Sequence, residues 1–203
     1  MNPMVLLIVG LFLLTQQPDL SLQVEHSVAP AHPLNTLATG VSVVEIELNG
    51  RTGGQQTRLL YGTSPFASPG LNALMSWGFE LPPQTNIART SVTFLFRSPA
   101  DYPVRIPPIA VKAGSRGPNS SAVPQEIVDP GYPMISTAQG AVILAVKISA
   151  AGAVTGVEAI SGDSSLAEHS QQALKNWTFS PARISAKAVS STAYVVISFV
   201  RPT

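Results

Sequence analysis

Apolar and polar positions alternate along residues 142–149, where Val142, Leu144, Val146 and Ile148 fall on one side of the chain. A period of two is that of a half-buried β-strand. Ala150-Ala151-Gly152 reads as a turn, and residues 153–160 as the hairpin partner. Gly162-Asp163 then breaks the pattern. Ser165 with Glu168 three residues on predicts a capping box, and a helix follows to about Asn176 with Leu166, Ser170, Ala173, Leu174 and Trp177 along one stripe. Phe179 and Pro181 end it, and residues 192–200 supply a last strand.

The same pattern occurs earlier in the chain. With His32-Pro33 placed over Tyr132-Pro133, Gly40 falls on Gly140, and Val44, Ile46 and Leu48 fall on Leu144, Val146 and Ile148. Gly62, Leu74, Trp77 and Phe79 then fall on Gly162, Leu174, Trp177 and Phe179, every pair separated by 100 residues. Only two tryptophans exist in the chain, and both stand in W-x-F at matching places. The register breaks after Pro82, where the second copy is a few residues longer. In the first copy Ser68 and Pro69 suit the N-cap and first position of a shorter helix. The expected fold is α+β: tandem β-β-α-β modules, each a three-stranded antiparallel sheet covered by one helix. The expected boundaries are residues 1–28 for a signal or short anchor, 29–97 for the first module, 98–127 for a Pro/Gly/Ser-rich linker and 128–203 for the second module. Within the linker the prolines oppose helix and central strand, while residues 106–111 are apolar enough to dock.

Composition narrows the classes. The chain is 45% apolar but only 11% charged, with net charge +1, so it has a core to bury and no basic patch for nucleic acid. It contains no cysteine, which removes thiol nucleophiles, thiolate zinc sites and disulfides. Residues 4–14 form an uncharged apolar block of about 16 Å as a helix, roughly half a hydrocarbon core. That length fits the core of a secretory signal, although no Lys or Arg precedes it and the nearest A-x-A, Ala29-Pro30-Ala31, lies well downstream. Export or N-terminal membrane attachment is expected, and with it a periplasmic or envelope location.

For chemistry, Asp163, Ser164, Ser165 and His169 are close in sequence, but they occupy a helix start, where Asp and Ser are expected as caps. His26, His32 and His169 are scattered, and neither a nucleophile elbow nor a metal-ligand spacing is present. A non-enzymatic protein without cofactor or metal is expected.

The second copy resembles the TonB C-terminal domain family. The resemblance rests on Tyr132-Pro133, Gly140, Val146-Lys147-Ile148, Gly152, Val154-Thr155, Ser161-Gly162, Ala173-Leu174 and the run Trp177-Thr178-Phe179-Ser180-Pro181-Ala182. Ser149 and Ala150 stand where the family usually has an acidic turn residue. The first copy is weaker, with His32 for the tyrosine and Leu81 for the proline. The resemblance implies a periplasmic binding module that captures an extended segment of an outer-membrane or envelope partner, such as a TonB-dependent receptor, by β-strand addition beside the last strand. On this expectation the peptide-binding residues are Tyr132, Pro133, Ala193, Tyr194, Val195, Val196, Ile197 and Ser198. Residues 192–199 contain neither proline nor charge, and a bare edge of that kind invites a partner strand. The alternative is an envelope adaptor or structural protein without an energy-transducing role, using its sheet edges for self-association as a homodimer. A transducer needs a full anchor and a long arm, and the short apolar block followed by residues 19–33 offers neither.

Overall fold

The computed structural model describes residues 22–202 except 34, 35, 63, 84 and 112–115. The apolar block at residues 4–14 lies outside the described residues. No described helix is long and apolar enough to cross a membrane. In chain order the elements are β1 (Gln23–His26), β2 (Gly40–Asn49), β3 (Gly54–Gly62), α1 (Ala67–Leu74), β4 (Gly78–Glu80), β5 (Ile87–Phe96), β6 (Val123–Glu126), β7 (Gly140–Ile148), β8 (Val154–Ser161), α2 (Ser164–Leu174), β9 (Thr178–Ser180), β10 (Ala182–Ile184), β11 (Lys187–Val189) and β12 (Ser191–Phe199).

The fold is α+β, but the expected pair of separate three-stranded sheets is not what forms. Six strands make one mixed sheet in the order β3-β2-β5-β12-β7-β8. Every neighbouring pair is antiparallel except the central one, where β5 and β12 run parallel from Val92 opposite Tyr194 to Phe96 opposite Ser198. The reason is visible in the side chains of the two central strands. On β12, Ala193, Val195, Ile197 and Phe199 enter one core, and Tyr194 and Val196 enter another. Leu95 of β5 joins the first, while Val92, Phe94 and Phe96 join the second. Strands apolar on both faces must be covered on both faces, so the sheet closes over them from each side.

The helices lie on opposite faces. Leu166, Ala167 and Leu174 of α2 pack with Leu144, Val146 and Ile148, whereas Ala73 and Leu74 of α1 pack with Val44, Ile46 and Phe94. Trp77 and Trp177 are both buried at their helix ends. Each indole satisfies its N–H on a carbonyl 49 residues upstream: Trp77 Nε1 donates to Val28 O at 2.8 Å and Trp177 Nε1 to Val128 O at 2.9 Å. The short pairs β1–β4 and β6–β9 flank those contacts. The hairpin β10–β11 accounts for the extra length before β12.

Two helix starts differ from the sequence expectation. The N-cap of α2 is Asp163, not Ser165, and its Oδ1 accepts from Ser165 N at 2.9 Å, Leu166 N at 3.4 Å and Ser165 Oγ at 2.6 Å. A carboxylate two residues upstream outcompetes the hydroxyl for the first-turn N–H groups. The helix α1 begins at Ala67 after Phe66 with no side-chain cap, which leaves Ser68 and Pro69 inside its first turn. Gly152 is required by geometry: at φ +85 its Cα faces the backbone so closely that a Cβ would lie 1.9 Å from Phe179 O. That approach lets Phe179 N donate to Gly152 O at 2.9 Å, tying the β7–β8 turn to the strand after α2.

The segment between the halves is packed rather than free. Ile109, Ala122, Val123 and Ile127 are buried, with Ile106 and Val111 against the same core. Ser91 Oγ donates to Ala122 O at 2.5 Å, and buried Glu45 accepts from Ser121 N at 3.0 Å and Ser121 Oγ at 2.7 Å.

Candidate peptide-binding site

Strand β12 is where the sequence places six of its eight peptide-binding residues. Ala193 to Ser198 are all buried, and β12 is hydrogen-bonded to β7 on one side and β5 on the other. The edge expected to receive a partner strand is therefore occupied by the chain's own β5. The signal for this was in the run itself. An edge strand with one wet face alternates polar and apolar residues, whereas Ala193-Tyr194-Val195-Val196-Ile197 does not alternate.

Tyr132 and Pro133 lie elsewhere, ahead of β7. The Tyr132 ring is buried and meets Phe199 edge-on at 6.4 Å, and its hydroxyl donates to Ala138 O at 2.7 Å. It is a packing residue with one face toward a groove. That groove, about 900 Å³, runs between α2 and two loops, lined by Asp101, Tyr102 and Pro103, by residues 130–135, and by Ser165, Glu168, His169 and Gln172. Tyr102, Met134 and Ile135 are exposed at its rim, the last two almost completely at 95% and 96%. His169 is half-buried, and its Nε2 lies 2.6 Å from Pro130 O.

A charged clamp holds this region in shape. Arg97, just past β5, and Asp129, just before the Pro130 loop, are both fully buried and paired at 2.5 Å. Asp129 also accepts from Gly131 N at 3.1 Å and Val104 N at 3.0 Å, while Arg97 donates to Ala100 O at 3.1 Å. The guanidinium sits 5.2 Å from the Phe199 ring centre, a cation–π distance. Tyr132 N donates to Asp101 O at 3.1 Å, and the hydroxyls of Ser136 and Ser165 are 2.7 Å apart. Neither Arg97 nor Asp129 stood out in the sequence, because single charges far apart in the chain carry no periodic signal.

Among the described residues, the free edges of the sheet are β3 and β8. Strand β3 pairs with β2 in unbroken register from Gly54 to Leu59, and those six residues are exposed. Strand β8 is in regular register only from Gly156 to Ala159, with a shift on either side. Bulges twist an edge away from a flat partner, so β3 is the more receptive of the two. Among the described residues no group of three or more His, Cys, Asp or Glu is placed to hold a metal ion.

The described residues thus present a mixed sheet with two free edges and a groove rimmed by exposed apolar side chains. Residues 130–200 match the family described as Gram-negative bacterial TonB protein C-terminal. No curated protein and no solved structure matches the chain. The family serves energy transduction and protein interaction in the Gram-negative envelope and is not one of enzymes.

Proposed function

We propose that this protein is a TonB-like periplasmic binding module that captures an extended segment of an envelope partner, a TonB-dependent outer-membrane receptor being the first candidate, by strand addition along the outer edge of β3. One observation carries the reading: β12 is closed on both sides, while residues 54–59 form an unbulged, exposed edge without proline. Such an edge offers a row of backbone donors and acceptors that an incoming strand satisfies. In this reading residues 193–198 support the sheet from its centre rather than touching the partner. The two halves are read as copies of one module, joined through their last strands, with the first copy lending β5 to the second. The matching indole bonds to Val28 and Val128 support this. Nothing in the reading requires energy transduction.

The test is hydrogen exchange on the full chain, free and in complex with proteins it retains from solubilised outer membranes. Strand addition at β3 slows the amides of residues 54–59 in the complex. Slowing at 154–161 instead, or nowhere along the sheet, would sink it. Slowing at 54–59 without partner, together with a doubled mass in solution, favours self-association through the same edge.

A further inference from the structure

We propose that the groove between α2 and the Tyr102 and Met134 loops is a second binding site, taking a short peptide in which a Lys or Arg side chain is flanked by apolar residues. It shares no residue with the β3 edge, so it stands independently of the strand-addition reading.

Three features fix the chemistry of the occupant. The rim is apolar and wet: Tyr102 is 66% exposed, and Met134 and Ile135 are adjacent in sequence and almost bare. Exposed large hydrophobic side chains gathered around a concavity mark an interaction surface, and Tyr and Met are enriched at such surfaces. The fully charged side chains that line the groove are both carboxylates, Asp101 and Glu168, with no Lys or Arg among the lining residues. Among the described residues neither carboxylate is in an ion pair. This concentration of one sign stands out in a chain of net charge +1 with only 11 acidic residues. A cationic side chain entering between apolar contacts meets complementary charge, whereas an acidic peptide would meet repulsion and leave both carboxylates desolvated without a partner.

The third feature is preorganisation. The lining includes Pro103, Pro130 and Pro133, whose ring-fixed φ leaves little freedom to lose. The loops are tied at their base by the Arg97–Asp129 pair, by Tyr132 N on Asp101 O, and by His169 on Pro130 O. His169 also lines the groove, with its Nε2 2.6 Å from Pro130 O. A site already shaped loses less entropy when a ligand docks.

The experiment uses the full chain and fluorescein-labelled hexapeptides with an apolar-Lys-apolar core, matched against the same peptides with Glu for Lys, read by anisotropy. The Lys peptides bind and the Glu peptides do not. Raising the ionic strength weakens the binding, as expected for partly exposed charges. Glu168→Lys and Asp101→Lys each weaken the Lys peptides about fivefold, and the double variant binds the Glu peptides instead. Ile135→Ser, an exposed change with no burial to lose, weakens the Lys peptides without altering the circular dichroism melt. Failure of every Lys peptide to bind, equal affinity for Lys and Glu peptides, or indifference to charge reversal overturns the proposal. So does a concentration-dependent doubling of mass abolished by Ile135→Ser, which would make a second copy the occupant.

Discussion

At Arg97 and Asp129 the chain buries one charge of each sign at the two ends of its proline-rich crossing. The Coulomb gain alone is a weak source of stability once desolvation is counted, but removing one partner strands the other in the core. Asp129→Ala is therefore expected to lower the unfolding free energy by about 3–5 kcal/mol, measured by urea titration. A similar argument with a pH readout applies to Glu45. Burial pushes its carboxyl pKa up, but the backbone and hydroxyl donors of Ser121 and the Arg58 guanidinium outweigh burial and hold it below the ordinary range. A carboxyl with a lowered folded-state pKa contributes stability that is present above its unfolded pKa and lost as the pH falls through the folded value. Acidification below the usual Glu range of about 4.3 should erode stability in the parent protein. Glu45→Gln should lose about 1–2 kcal/mol at pH 7 and show a shallower decline between pH 5 and 3, as measured by urea midpoints. An equal slope in both proteins would remove Glu45 from the account of acid lability.

Among the elements, local pattern was a reliable guide and partner choice was not. Alternation at Val142, Leu144, Val146 and Ile148 located β7, and the glycine turn located β8, because periodicity reports which face is buried. Trp177, on the apolar stripe that the helical period predicts, is 1% exposed. What the pattern does not encode is which strand lies alongside. The uncharged run in β12 was read as an edge awaiting a peptide. The equally apolar Val92-Thr93-Phe94-Leu95-Phe96 was already in the chain to fill it. Two such runs, each lacking alternation, were the available clue that both strands are central. The groove was legible only in part. Tyr132 and Pro133 were singled out, but Tyr102, Met134 and Ile135 lie in stretches without period, and only the folded loops bring them together. Asp163 rather than Ser165 caps α2 for a related reason: a capping box fixes a spacing, and here an acceptor two residues earlier satisfies the same amides.

For the whole molecule, the six-stranded sheet makes the two halves one structural unit at the level of hydrogen bonding, with a helix on each face. A fragment of residues 123–202 keeps β6 to β12 but loses β5, which bares the length of β12 and the side chains of Tyr194 and Val196. That fragment is expected to associate through the exposed strand. Sedimentation should find dimers or larger species, and a well-folded monomer would show that β5 is dispensable. The same central ladder also governs time. Its pairs join residues 102 apart, as in Val92 with Tyr194 and Phe96 with Ser198, and contacts so distant form slowly because the intervening chain must be ordered before they repay that ordering. A chain made from its N-terminus carries Ile87–Phe96 unpaired on one side until the final strand emerges. The interval between synthesis of β5 and synthesis of β12, rather than the finished fold, is when this protein is most exposed to wrong partners and to chaperones.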